Sequence, residues 1–266
     1  MIKNITIGQF FPGDSPIHRM DPRMKLILTT AYIVMLFVAA NLASLMVGVV
    51  FLVVIYGVSG ISGKMITRSI KPILPIIIFT AVLNMLFVDG AVLFQFYFIR
   101  ITDRGVMTAL MMCTRIICLI AGTSLMTYTT SPIALTDAIE RLFSPLKKIR
   151  MPVHEIAMMM TIALRMIPTL IEETDKIMSA QKARGADMES GNLLQRVKAL
   201  TPILIPLFVS AFRRADELAL AMECRCYHGG KGRTRLRQLH IRRLDITVSL
   251  VVAAALTGAV MLGYVL

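Results

Sequence analysis

The sequence predicts an all-α polytopic membrane protein with about five transmembrane helices and long amphipathic helices on the cytoplasmic side. Of its 266 residues, 56% are hydrophobic and only 17% are charged, whereas about a quarter are charged in an ordinary soluble domain. Several apolar runs approach the roughly 20 residues that a helix needs to cross a bilayer. The basic residues are also unevenly placed, because residues 129–245 carry 19 of the 29 Lys and Arg side chains.

Four of the predicted spans lie in an N-terminal membrane region, residues 1–128, and the fifth in a C-terminal segment, residues 246–266. The stretch 26–58 is almost continuously apolar except around Asn41. Since it is too long for one crossing, it predicts a tight hairpin of two short spans. The predicted spans are, in order, 26–40, 42–58, 70–88, 106–128 and 246–265.

Basic residues set the predicted orientation. They precede the first span, follow the second and fill residues 129–245, while the turn at Asn41 has none. The positive-inside rule then predicts a cell (inner or plasma) membrane protein with a cytoplasmic N-terminus and an outward C-terminus. The formal net charge of +13 therefore reflects topology, and no nucleic-acid partner is expected.

Residues 129–245 form the predicted cytoplasmic region. Two of its segments, 156–171 and 199–212, are apolar but short for a crossing, and together they contain Arg165, Pro202 and Pro206. If both crossed, five basic residues would be stranded outside, against the charge rule. We expect helices that lie along or just below the membrane, with an entry capped by Ser131 ahead of Pro132.

Both predicted helices carry apolar residues at i, i+3, i+4 spacing, and each ends on an arginine between small residues. The two triplets are Ala183-Arg184-Gly185 and Cys224-Arg225-Cys226. A guanidinium is suited to a bidentate contact with a carboxylate, and an apolar helix face is suited to a groove on a partner. A solvated arginine that interacts with the helix dipole is the simpler alternative, and the residues alone leave both open.

No catalytic, metal or nucleotide site is predicted. The pair His154-Glu155 lacks the second histidine of a zinc-protease motif, because Met158 stands in its place. The order Cys224, Cys226, His228 lacks the usual ligand spacing. The stretch G-G-K-G-R-T lacks the Walker pattern, so no ATP site is expected in this chain.

Two charged features are expected to face the membrane or its interior. Arg115 lies within the fourth span, where a charge should face protein or a cavity. The run Lys231–Arg243 has six basic residues and no acid, so it can bind anionic lipid headgroups. Simple topological anchoring explains the run equally well.

Four stretches of the sequence are similar to one membrane-protein family. They are F-F-P-G-D-S-P-I-H-R-M-D-P-R-M-K, T-T-S-P, A-L-R-M-I-P-T-L-I-E-E-T-D-K-I-M-S-A-Q-K-A-R-G-A-D and A-M-E-C-R-C-Y-H-G-G-K-G-R-T-R. They resemble the transmembrane T component of energy-coupling factor transporters, the EcfT or CbiQ-like family.

The resemblance implies a non-catalytic subunit of an ABC transporter complex for vitamin or metal-ion uptake. Two ATP-binding-cassette ATPases would bind the ATP, so no cofactor is expected in this chain, and a small membrane S component would capture the substrate. Region 129–245 would hold coupling helices whose X-Arg-X ends dock on the ATPases. Cysteines flank the second arginine where the family often has Ala and Gly.

Further expectations concern a partner surface and the rival functions. Two methionine-rich stretches, Met111–Met112 and Met158–Met160, could offer an adaptable apolar surface to an S component.

A self-contained secondary transporter is the main alternative function. It predicts two similar halves or broken helices at the midplane, and the sequence has no visible repeat. A membrane metalloenzyme is a weaker alternative because it lacks ligand spacing.

Overall fold

The computed structural model describes residues 10–96, 99–186, 192–229 and 240–265. Lys3 and most of the run Lys231–Arg243 lie outside the described residues. Within them the helices are α1 (Pro22–Val38), α2 (Leu42–Ser59), α3 (Gly63–Ile70), α4 (Leu74–Phe87), α5 (Asp103–Thr129), α6 (Pro132–Leu142), α7 (Val153–Ala183), α8 (Leu193–Glu223) and α9 (Arg243–Val265). Short 3-10 turns, Lys71–Ile73 and Ser144–Ile149, precede α4 and α7.

The prediction of an all-α fold is confirmed, with one small addition. A hairpin joins α4 to α5, in which β1 (Val92–Phe96) pairs antiparallel with β2 (Ile99–Thr102). The hairpin sequence is rich in aromatic and β-branched residues, which favour strands. Thr102 is the last residue of the hairpin. Its hydroxyl donates to the Val88 carbonyl at 2.6 Å and accepts from the Gly105 amide at 3.0 Å, so it connects the end of α4 to the start of α5.

Among the described residues, five helices are long and apolar enough to cross a membrane: Leu42–Ser59, Gly63–Phe87, Asp103–Thr129, Val153–Ala183 and Arg243–Gly263. Four of them cover predicted spans. The fifth is α7, which the sequence analysis placed along the membrane because of its charges. Conversely, α1 has 17 residues, which is about 26 Å at the α-helical rise and slightly short of a bilayer core.

The chain divides into two compact units, one formed mainly by residues 139–237 and the other by residues 8–138 with 238–266. The predicted domain bounds 1–128, 129–245 and 246–266 concern membrane topology, which is a different property, and they stay a prediction.

The larger unit has its core among α1, α2, α5 and α9. Tyr32, Leu36 and Leu45 are buried there, together with Cys118 and Ala259. Helices α1 and α5 approach closely at Gly122, where an added Cβ would lie 2.6 Å from the ring of Tyr32. Only glycine fits this crossing without displacing the tyrosine.

A buried polar cluster joins the N-terminal ends of α1 and α9. Asp21 caps α1 by accepting from the Arg23 amide at 2.9 Å, and it also pairs with the Arg23 guanidinium at 2.7 Å. Asp245 is fully buried and accepts from two backbone amides, that of Asp21 at 3.0 Å and that of Arg242 at 2.7 Å. One carboxylate therefore satisfies a backbone donor beside it in the chain and another that lies 224 residues away.

Lys25 extends this cluster to the C-terminal end of α5. Its ammonium donates to the Thr129 carbonyl at 2.8 Å and to the His18 carbonyl at 3.3 Å. Burial, and then the charge of Lys25, lower the pKa of His18 from its usual value. The stretch F-F-P-G-D-S-P-I-H-R-M-D-P-R-M-K is thus a structural junction of three helix ends.

Arg115 serves the opposite end of α1. Its Nη2 donates to the carbonyl of Ala39, the C-cap residue of α1, at 2.6 Å. The charged group therefore faces protein, as the sequence analysis expected for an arginine within a span.

We predict that Asp245→Ala lowers the free energy of unfolding by about 2–4 kcal/mol, because one buried and one part-buried amide lose a charged acceptor. Asp103→Ala is the matched control, since Asp103 is also in the first turn of a membrane helix but is exposed, where loss of a carboxylate costs at most about 1 kcal/mol. Thermal unfolding of the purified variants in detergent measures the difference. Equal losses in the two variants would contradict the structural role of Asp245.

Candidate functional site

Helices α7 and α8 form an antiparallel pair joined by polar contacts of Gln181 and Glu173. The Gln181 side chain donates to the Pro202 carbonyl at 3.2 Å. Glu173 accepts from the Ser210 hydroxyl and pairs with the Arg214 guanidinium at 3.0 Å. Glu173 lies eight residues before Gln181 on α7, and its partner Ser210 lies eight residues after Pro202 on α8. These matched steps fix the antiparallel register.

The contact of Gln181 has a specific cause in α8. Pro206 has no N–H, so the carbonyl four residues earlier, that of Pro202, has no partner within the helix. The Nε2 amide of Gln181 donates to this carbonyl from α7. Pro202 is exposed, so water is the alternative donor to this carbonyl, and the proline leaves an acceptor to which the end of α7 attaches. Sequence reasoning missed this contact of Gln181 with the Pro202 carbonyl.

The C-terminal end of α7 presents Arg184 through a Schellman motif. The amide of Gly185 donates to the Lys182 carbonyl at 3.0 Å, and the amide of Ala186 donates to the Gln181 carbonyl at 3.0 Å. Gly185 has a φ of +86°, the left-handed conformation that this motif requires. An added Cβ at Gly185 would meet nothing within 4 Å, so only the backbone conformation selects glycine here.

The end of α8 has the same hydrogen bonds. The amide of Cys226 donates to the Glu223 carbonyl at 2.9 Å, and the amide of Tyr227 donates to the Met222 carbonyl at 3.1 Å. Cys226 holds the left-handed position with a φ of +54°, although a side chain there costs about 1–2 kcal/mol. Arg184 and Arg225 are therefore equivalent C-cap residues, despite the different neighbours in their triplets.

The two predicted triplets are not brought together by the fold. All six residues are exposed: Ala183, Arg184, Gly185, Cys224, Arg225 and Cys226. Because the pair is antiparallel, the triplets lie at opposite ends of it, separated along the helix axes by a distance on the order of 40 Å. Each end can offer one guanidinium to a separate acidic site.

An apolar stripe of α8 is uncovered within its unit. Ile205, Phe208, Val209 and Phe212 follow i, i+3, i+4, i+7 spacing and are all exposed, Phe212 to 69%. Met159 and Met160 of α7 are exposed as well, whereas Met111 and Met112 are half-buried. The sequence marks 199–212 as an apolar segment, but the exposure of the four residues of the stripe was not predicted, although their spacing is visible in it.

His154 has a structural contact in this unit. Its Nδ1 lies 3.0 Å from Glu140 Oε1, so it links the end of α6 to the start of α7. In the described ranges, no three His, Cys, Asp or Glu side chains cluster in a way that could hold a metal ion.

We predict opposite effects for two substitutions at the helix ends. Gly185→Ala forces alanine into a left-handed conformation and destabilises the last turn of α7 by about 1–2 kcal/mol, a roughly 5–30-fold rise in local opening. Cys226→Gly removes the same strain from α8 and stabilises its last turn by roughly 0.5–1 kcal/mol, since glycine's backbone entropy offsets part of the gain.

Hydrogen–deuterium exchange read by mass spectrometry measures both effects locally. Gly63→Ala is the control, because Gly63 also has open space around its Cα but no positive φ, and we expect it to leave exchange unchanged or slower. If Gly185→Ala behaved like Gly63→Ala, the assigned helix end would be wrong.

Known proteins that are similar to this chain are described as transport proteins. The family model described as cobalt transport protein, CbiQ, matches residues 13–236. Three relatives carry the name energy-coupling factor transporter transmembrane protein EcfT. That of Ruminiclostridium cellulolyticum is 49% identical over 100% of this chain and 99% of the relative. That of Clostridium kluyveri is 54% identical over 94% and 93%, and that of Bacillus subtilis is 45% identical over 96% and 98%.

The family model covers well over half of the chain, and the relatives match it almost from end to end. The five apolar helices agree with the relatives' name, which calls them transmembrane proteins. The chain therefore belongs to the family of energy-coupling factor transporter transmembrane proteins, as the transmembrane component of such a transporter.

Proposed function

We propose that this chain is the non-catalytic coupling subunit of an ATP-driven uptake transporter for a vitamin or a metal ion. It transmits the motion of two ATPase subunits to a membrane-embedded S component that binds the substrate. The observation that carries the proposal is the pair of exposed arginines, each held at a C-cap by the same backbone motif on antiparallel helices.

Each arginine is the docking group for one ABC-type ATPase. Its guanidinium enters an acidic groove, and the flanking Ala183, Gly185, Cys224 and Cys226 keep the surrounding helix end slim enough for close approach. A desolvated, bidentate contact with a carboxylate suits arginine better than lysine. Two sites on the order of 40 Å apart along the helix pair suit two ATPase subunits rather than one. ATP binds to those subunits, and this chain needs no cofactor of its own.

The α7–α8 pair carries the motion. When ATP draws the two ATPases together, the helix ends attached to them move relative to each other. The contacts of Gln181 with the Pro202 carbonyl and of Glu173 with Ser210 and Arg214 hold the helices in fixed register at their crossing. A displacement at one end is therefore passed to the crossing rather than lost in sliding.

The S component docks on apolar surface of the same pair. The stripe of Ile205, Phe208, Val209 and Phe212 is exposed, and its spacing suits packing on another helix. Met159 and Met160 of α7 are exposed as well, and their flexible side chains would let a second apolar patch adapt to several S components. In this arrangement the N-terminus and both arginines lie on the cytoplasmic side.

We predict that Arg184→Glu and Arg225→Glu each reduce ATPase binding, because reversing one charge of a buried pair costs about 2–5 kcal/mol or more. The tagged chain is purified from its native membrane in gentle detergent, and its partners are quantified by mass spectrometry. Arg213→Glu is the matched control, since Arg213 is an exposed arginine within α8 away from the helix end.

Membrane insertion should be unchanged in all three variants. Recovery of ATPases at the wild-type level in the double variant Arg184→Glu/Arg225→Glu would overturn the docking role. If the wild-type chain itself were recovered alone at several detergent strengths, a self-contained secondary transporter would become the better interpretation.

A further inference from the structure

The larger unit contains an apolar cavity of about 310 Å³. Its walls come from α1, α2, α5 and α9, at the level where α1 and α9 begin and α2 and α5 end. Nearly all of the lining is hydrocarbon, and the polar side-chain groups of its residues are one ammonium, one phenol hydroxyl and three threonine hydroxyls. The lining includes Lys25, Tyr32, Val54, Val58, Thr247 and Val251.

The cavity has a closed floor and an open mouth. Lys25, Tyr32, Leu125 and Val252 form the floor and are buried. Among the other lining residues, Val54 and Val58 of α2 and Val251 of α9 are about half exposed or more. The mouth therefore opens between α2 and α9, two helices that are long and apolar enough to cross a membrane, and so it faces lipid.

We expect this cavity to be neither empty nor occupied by water. Protein interiors pack with few voids larger than a water molecule, while this volume equals roughly ten waters at about 30 Å³ each. Apolar cavities stay dry because a water inside them would lack hydrogen-bond partners. The ammonium of Lys25 is already engaged with the carbonyls of Thr129 and His18, so it does not offer a hydrated site. A hydrocarbon chain entering from the bilayer matches both the lining and the mouth.

A cationic group stands where the headgroup of such a lipid would lie. Arg243, Thr247 and Val251 follow i, i+4, i+8 spacing and therefore share one face of α9. Thr247 and Val251 line the cavity, and Arg243, one turn nearer the membrane surface, is exposed. A guanidinium binds phosphate oxygens through charge-assisted, often bidentate hydrogen bonds. The neighbouring sequence, Lys231–Arg243, adds basic residues and no acid.

We propose that this cavity is a binding site for an anionic phospholipid of the basic, Lys- and Arg-rich side of the membrane. One acyl chain of the lipid fills the space between α1, α2, α5 and α9, and its phosphate pairs with Arg243. The lipid completes the packing of the bundle beside the Asp21–Asp245–Lys25 cluster.

The test measures lipid retained by the full chain, purified with the subunits that accompany it. The protein is incorporated into nanodiscs of phosphatidylcholine with a minor fraction of phosphatidylglycerol, transferred to lipid-free detergent, and analysed by native mass spectrometry. We expect the wild type to retain about one phosphatidylglycerol per chain and to retain it in preference to phosphatidylcholine.

The chain offers adjacent controls for a cavity-filling substitution. Val54→Phe and Val251→Phe place a ring in the mouth, and each should lower retained lipid at least fivefold. Val53→Phe and Leu250→Phe are the controls, because Val53 and Leu250 are similarly exposed but lie outside the cavity lining, and both should retain lipid like the wild type. Arg243→Gln should remove the preference for phosphatidylglycerol while leaving chain binding intact.

Several results would overturn the proposal. Equal retention in Val54→Phe and Val53→Phe, with the same equality in Val251→Phe and Leu250→Phe, would show that lipid binds elsewhere. A wild type that retains only detergent would show that the cavity holds no specific lipid. An unchanged headgroup preference in Arg243→Gln would remove Arg243 from the site.

Discussion

Backbone groups without an intrahelical partner are the constraint on which the rest of this structure depends. Every helix leaves amides free at its start and carbonyls free at its end, and in a membrane there is little water to satisfy them. Here side chains from other helices do so. Asp245 accepts from the amide at the start of α1, Lys25 donates to the last carbonyl of α5, and Arg115 donates to the carbonyl that ends α1. These contacts therefore decide which helix ends meet.

The smaller unit meets the same constraint in a way that leaves its arginines free for a partner. At the ends of α7 and α8 the carbonyls accept from backbone amides of the Schellman motif. The guanidinium groups of Arg184 and Arg225 are therefore not needed to cap these helices. The one carbonyl freed by Pro206 is used instead to attach Gln181 of α7 to α8. Local backbone geometry thus separates the residues that hold the helix pair together from those that it presents.

Local features of the sequence were sufficient for much of the fold. The apolar run 42–58 predicted α2 to within one residue, and Ser131-Pro132 predicted the start of α6. Both predictions succeeded because the length of an apolar run and the cap of a helix depend only on residues close together in the chain. The contact of Asp245 with Asp21 was beyond reach, since nothing local connects residues so far apart. The left-handed Cys226 was equally hidden, because glycine is the usual sign of that conformation. The exposure of Phe212 depends on what packs against α8, which spacing alone does not reveal.

The central claim is that the two helix ends touch two ATPase subunits, and site-specific photo-crosslinking in native membranes tests it most directly. A photoreactive amino acid is placed at Lys182 or at Glu223, exposed residues just before each triplet, so that the small residues beside each arginine are kept. The cross-linked products are identified by mass spectrometry. We predict that each position captures an ABC-type ATPase, and that a probe at Val53 on α2 captures none. Cross-links from both helix ends to lipid alone, in membranes where the ATPases are present, would contradict the claim.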